Sequence, residues 1–278
     1  MQPPTYLLLG IFLLLSPFGV CQEAPSPAPY QDSWAASPDR PWPGKDWVAN
    51  RVQDWRIRSG RLECLTGQDR SAGRTAHLLV REVMGGFFGK VHLGVDIEAM
   101  DPGPLRDRAC AGFLFGVGNP GNDPRTHAMV QQVPAPGGGL LASVDAAGKL
   151  TLRDFSQDLE KAGSWVLPGN VDFGTLPLLA ESEQSIPLET WPLRLTLDFA
   201  DEAGLTLTAR HGGKVVAHLA LEDLPRNRVA GGVALFSARG AGGAEGARNS
   251  NHGFAFSKFS LEGAHGFPER TFGPVLGV

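Results

Sequence analysis

From residue 91 to residue 98, apolar and polar side chains alternate without a break: Val91, Leu93, Val95 and Ile97 against His92, Gly94, Asp96 and Glu98. A period of two puts the first set on one face of a strand and the second on the other. This pattern predicts a half-buried antiparallel strand with one wet face. Residues 191–199 repeat it with Leu193, Leu195, Leu197 and Phe199. Such strands need a second apolar layer behind them, so the rest of the chain must supply sheet.

The remainder reads that way. With 36 Gly and 22 Pro in 278 residues, turn residues suffice to punctuate many short strands. Residues 54–58 and 61–65 are joined by Ser59-Gly60, a two-residue hairpin signal. Strands are expected over 75–80 and 109–117. In the second of these, Ala111, Phe113, Phe115 and Val117 share a face, and Gly112 and Gly116 on the other suit a close backbone approach. Short strands follow at 128–133, 140–144 and 149–152, and residues 155–190 read as a long irregular insertion. A three-strand meander covers 191–199, 205–209 and 214–221. Residues 231–237 and 254–261 flank a Gly-rich loop and read as an aromatic strand pair that closes the layers. Phe254 and Phe256 share a face, and the change of phase after Ser257-Lys258 to Phe259 and Leu261 calls for a bulge or a shift of one residue. The expected fold class is all-β, a two-sheet antiparallel β-sandwich over residues 47–263.

The first 46 residues have a different character. An apolar run over 7–20 is shorter than the ~20 residues of a spanning helix. It favours an export signal over residues 1–21 rather than a transmembrane anchor, although no Lys or Arg precedes it. The mature chain would then be periplasmic, cell-surface or extracellular. Another reading makes Cys21 the lipid-bearing first residue of a lipoprotein. Residues 22–46, rich in Pro, Ser and Ala, read as a flexible linker. With Cys21 removed, Cys64 and Cys110 remain; one disulfide is permitted, and two buried thiols are the equal alternative. The net charge of −4 gives no electrostatic reason to expect nucleic acid or an anionic membrane as partner.

Catalytic constellations are hard to find. The seven His form no i, i+2 or i, i+4 pair, and Gly121-Asn122-Asp123 reads as a turn, not a metallophosphatase motif. No Gly-x-Ser-x-Gly elbow occurs, and the Gly-rich loop over 240–246 lacks the Lys-Ser/Thr of a phosphate cradle. Asp96 and Glu98 share a strand face, which allows a carboxylate pair for glycoside hydrolysis, but a solvated face explains them as well. Loop oxygens of Asn119, Asn122 and Asp123 could contribute to a calcium site, as could Asp101 and Asp107. Among six Trp, Trp165 in the irregular insertion is the candidate for stacking on a sugar ring, whereas Trp47, Trp55 and Trp191 begin strands and read as core.

The patterns at 191–199, 205–221, 231–237 and 256–263 together resemble the concanavalin A-like, laminin-G-like sandwich superfamily. The resemblance implies a jelly roll. The tail Glu269-Arg270-Thr271-Phe272-Gly273-Pro274-Val275-Leu276 resembles the junction after the N-terminal sandwich of bacterial PhoD-like alkaline phosphatases. That implies an accessory domain over 47–263, with 264–278 as a tail or interdomain junction leading to a metallophosphatase domain. The expected function is therefore a non-catalytic exported domain that binds carbohydrate at Trp165, Asp96 and Glu98 or packs on a partner catalytic domain. The alternative is a hydrolase, either glycoside hydrolase-like or a fragment of a PhoD-like phosphodiesterase.

Overall fold

The computed structural model describes residues 27–65, 73–84, 89–100, 109–118, 137–156, 176–187, 189–200, 204–238 and 253–268. These residues form two eight-stranded antiparallel sheets packed face to face. The first sheet contains β1 (Tyr30–Gln31), β3 (Trp55–Arg58), β4 (Arg61–Cys64), β6 (Val91–Ala99), β11 (Leu193–Phe199), β12 (Leu205–His211), β13 (Lys214–Leu221) and β15 (Phe254–Gly263). Its order is β13-β12-β11-β6-β15-β4-β3, with β1 also on β15. The second contains β2 (Trp47–Ala49), β5 (Gly73–Val83), β7 (Cys110–Val117), β8 (Leu140–Asp145), β9 (Lys149–Asp154), β10 (Leu178–Ser185), β14 (Gly231–Ala238) and β16 (His265–Gly266). Its order is β10-β9-β8-β7-β14-β5-β16, with β2 on β5.

The alternation places the core where expected. Leu93, Val95, Ile97, Leu195, Leu197, Phe254, Phe256 and Phe259 from the first sheet meet Phe113, Phe115, Val233, Leu235, Leu150 and Leu152 from the second. Ser59 and Gly60 both have positive φ, 50° and 75°, as a two-residue hairpin with the twist of its strands requires. A Cβ on Gly112 would lie 2.1 Å from the carbonyl oxygen of Ala142, so the expected close backbone approach is real. The bulge is also present: β15 pairs Ser257 with Asp96 and then Ser260 with Gly94, one residue more than its partner. Lys258 takes up the extra residue at φ 52° and turns Phe259 back into the core.

Three expectations are corrected, and one open alternative is decided. The strands β14 and β15 are not a pair: β14 lies between β7 and β5, and β15 lies between β6 and β4 in the other sheet. β14 is apolar on both faces and needs cover on both, which a place inside the second sheet supplies. The insertion over 155–190 contains the edge strand β10. Most of its side chains are exposed, so it carried no alternation to read. Residues 22–46 are not a loose linker from Tyr30 onward. Trp34 is 1% exposed and donates from Nε1 to the Pro43 carbonyl, while Trp47 donates to the Tyr30 hydroxyl at 3.1 Å. Three buried aromatics spread over a polar segment thus pin it as a strap, with the Phe259 ring 5.0 Å from that of Trp47. Of the two alternatives left open for Cys64 and Cys110, the structure takes the second: both thiols are buried, each on its own strand, and no disulfide joins them. Cys64 belongs to the core between the sheets, whereas Cys110 belongs to a separate apolar cluster with Leu114 and Phe236 on the outer face of the second sheet.

The leader, Cys21, the strand expected at 128–133 and the tail over 269–278 lie outside the described residues. Among the described residues, no helix is long and apolar enough to cross a membrane.

Candidate binding groove on the first sheet

The wet face of the first sheet is set by register. Antiparallel pairing places Arg194 of β11 beside Asp96 of β6, and Ser257 of β15 on its other side. Arg194 lies flat across Gly94, where a Cβ would come 2.2 Å from its Nη2. From there it donates to the Lys258 carbonyl at 2.7 Å, to Asp96 at 3.3 Å and to the Ser260 hydroxyl at 3.2 Å. The bulge brings the Lys258 ammonium to 2.8 Å from the other Asp96 oxygen. Asp96 is therefore held between two cations. Glu98, two residues on, pairs with Arg61 at 2.5 Å, and Arg61 also reaches Glu63.

The strap forms the facing wall. Asp32 accepts the backbone amides of Trp34 at 2.9 Å and Phe259 at 2.5 Å. Burial pushes its carboxyl pKa up; the two amides and Arg194 oppose the rise, and Asp96 adds to it. Strap and bulge enclose a groove of about 840 Å³ lined by Gln31, Asp32, Arg61, Asp96, Arg194, Lys258, Ser260 and Glu262. Three carboxylates face three cations there, so the groove is neutral overall yet dense in hydrogen-bond donors and acceptors. Its size falls within the ~300–1,000 Å³ of ordinary ligand sites.

A second hollow of about 600 Å³ lies farther along β6. Its polar centre is His92, 2.7 Å from Asp198. The hydrogen bond to Asp198 raises the His92 pKa; burial works against this, and the charges of Asp198 and Glu262 add to it. Arg194 and Asp198, on one face of β11, serve different partners: Arg194 pairs with Asp96 and Asp198 with His92.

Of the residues expected to bind ligand, Asp96 lines the groove and Glu98 holds its Arg61 wall. Trp165, Asn119, Asn122 and Asp123 lie outside the described residues, as do Asp101 and Asp107. Among the described residues, no group of three or more His, Cys, Asp or Glu could hold a metal ion. Sequence reasoning missed Asp32, Arg61, Arg194, Lys258 and Ser260 as one constellation. The bulge signal at Ser257-Lys258 pointed to the place, but the strand partners that assemble it depend on long-range register.

The chain matches no protein-family model and no curated protein. Similar solved structures include the VIP36 exoplasmic/lumenal domain in its Ca²⁺/Man3GlcNAc-bound form, with 12% identity, 83% of this chain and 86% of that one covered, and a TM-score of 0.47. The carbohydrate recognition domain of Emp47p has the same identity and TM-score, 12% and 0.47, covering 83% of this chain and 96% of its own. Lectin I-B4 from Griffonia simplicifolia, in metal-free form, is 10% identical with a TM-score of 0.46, covering 78% and 93%. At TM-scores below 0.5 these likenesses carry no weight for ligand or mechanism.

Proposed function

We propose that the protein is a non-catalytic β-sandwich module that binds a glycan in the groove between the strap and the β15 bulge. The carrying observation is that groove itself: charged side chains satisfy one another across neighbouring strands and leave a neutral surface of fixed donors and acceptors. A neutral polyhydroxylated ligand gains hydrogen bonds there without displacing a counter-ion, whereas a charged ligand must first break an ion pair.

The same geometry favours binding over hydrolysis. A glycosidase needs one carboxyl to give up a proton and a second to act on the sugar. Asp96 is clamped by Arg194 and Lys258, and each oxygen of Asp32 accepts a backbone amide. Neither is placed to transfer a proton to a bound sugar. Nothing among the described residues favours packing on a partner metallophosphatase domain over this reading. The apolar run over 7–20 supports export, with Cys21 as the residue that a lipid anchor would use. Asn119, Asn122 and Asp123 are the loop oxygens proposed for calcium.

The test is retention of the purified protein on a panel of immobilised polysaccharides. At least one should retain it. Lys258→Ala, at a side chain 78% exposed, should weaken retention about tenfold without unfolding the chain, as loss of a charge-assisted hydrogen bond does. No retention on any polysaccharide, or retention indifferent to both Lys258→Ala and Arg194→Ala, would sink the groove as the site. Trp165→Ala in the same assay tests that residue separately.

A further inference from the structure

The 3-10 turn Trp34–Ala36 that helps form the strap is flanked by a second, smaller hollow of about 190 Å³. Ser33, Ser37, Arg40, Trp42, Lys45 and Asp46 are among the residues that line it. Its charge balance differs from that of the groove: two cations face one carboxylate. That carboxylate already accepts the Tyr30 hydroxyl at 3.3 Å. Among the described residues neither Arg40 nor Lys45 enters an ion pair. The Arg40 side chain has one partner, the Ser37 hydroxyl at 3.4 Å from Nη2, and its Nε is buried with none.

Arg40 is nevertheless held in place. Its guanidinium carbon lies 4.8 Å from the centroid of the Trp42 ring. On Gly44, at φ +107°, a Cβ would come 2.5 Å from Nη2. The guanidinium thus fills space that only glycine leaves, with an aromatic ring beside it. A cation fixed by packing, with donor capacity unspent, loses little entropy on meeting an anion, and its planar fork suits a carboxylate or sulfate. The hollow is smaller than the ~300 Å³ at which whole small-molecule sites begin, so it fits a substituent and not a chain.

We propose that this hollow binds a single oxyanion group, a carboxylate or sulfate, gripped by Arg40 and Lys45, with the Ser33 hydroxyl as a further donor; the Ser37 hydroxyl, which donates to the Ser33 carbonyl at 2.8 Å, holds the turn. Trp42, 42% exposed, offers an apolar edge to the body of a sugar that carries the acid. The site uses none of the groove's charged residues and stands whether or not the groove binds a glycan.

Isothermal titration of the full chain with glucuronate, glucose and inorganic sulfate at low ionic strength tests it. Glucuronate or sulfate should bind and glucose should not. Lys45→Gln, at an exposed position, should weaken oxyanion binding about tenfold while leaving the unfolding midpoint unchanged. Arg40→Lys keeps the charge, loses the fork and should weaken it as well. Tighter binding of glucuronate than of sulfate assigns the site to an acidic sugar, and the reverse assigns it to a free anion; either supports an oxyanion site. Binding of neither, glucose binding as tightly as glucuronate, or Lys45→Gln without effect would overturn it. Because Lys258→Ala should leave these titrations untouched, failure here and failure of the groove read out separately.

Discussion

The two sheets face outward in opposite ways. The outer face of the first is a lattice of charge in which Arg61, Glu98, Asp96, Arg194 and Lys258 pair across strands in contact with solvent. The outer face of the second carries another apolar cluster: Leu114, Leu141, Phe155, Leu176, Ala234 and Phe236 are all buried. The difference is written in the strands. Those of the first sheet alternate, as a strand wet on one side must. In β7 and β14 both parities are apolar or small, Phe113 and Leu114, Leu235 and Phe236, as in a strand covered on both sides. A sandwich therefore need not have two equivalent outer faces: one here is used for stability and the other is free to present polar chemistry.

The largest effect that would break this contrast is at Phe236. Its ring meets Phe155 edge-on at 5.9 Å and is fully buried. Phe236→Ala should cost about 3–5 kcal/mol in urea unfolding, as for core phenylalanines. Glu262→Ala, on the exposed face, should stay within about 0.5 kcal/mol. If the two cost the same, the outer face of the second sheet is ordinary surface and the contrast fails.

A smaller loss is expected at Asp32. Asp32→Ala leaves the amides of Trp34 and Phe259 without their acceptor, and a buried donor so stranded costs about 1–3 kcal/mol. The midpoint of urea unfolding reads it. A flexible linker, which the composition of residues 22–46 suggests, would tolerate the change at no cost. This position marks where sequence stopped being legible. Period-two alternation revealed β6, β11 and the bulge at Lys258, because these are local patterns. The strap was hidden because Tyr30, Trp34 and Trp47 have no common period and gain their burial from Phe259, more than 200 residues away. The strand β10 was hidden for the opposite reason, being an edge with little to bury. The pairing of β14 and β15 was misread because two adjacent apolar strands around a loop look alike whether they share a sheet or cross between sheets. The groove inherits all of this: Asp96 was visible, while Arg194, Lys258 and Asp32 become its neighbours only through long-range register.

The smallest effect belongs to the His92–Asp198 pair, and its sign follows from which form the fold prefers. Asp198 of β11 accepts from His92 at 2.7 Å, Glu262 of β15 adds negative charge, and Arg194 opposes both. The protonated ring is favoured, so the folded-state pKa lies above the ordinary value of about 6.5. The pair's contribution to stability is then fully present below about pH 6.5 and is lost as pH rises through the folded pKa. With His92 37% and Asp198 54% exposed, solvent and salt screening hold it below about 1 kcal/mol. An NMR titration of the His92 ring should show an elevated midpoint in the wild type and a lower one in Asp198→Asn. The stability gap between the two proteins should close on going from pH 5.5 to pH 8. A gap that widened over that range would mean that the ring is held neutral, and the polar face would then be organised around a hydrogen-bond acceptor where the structure puts a cation.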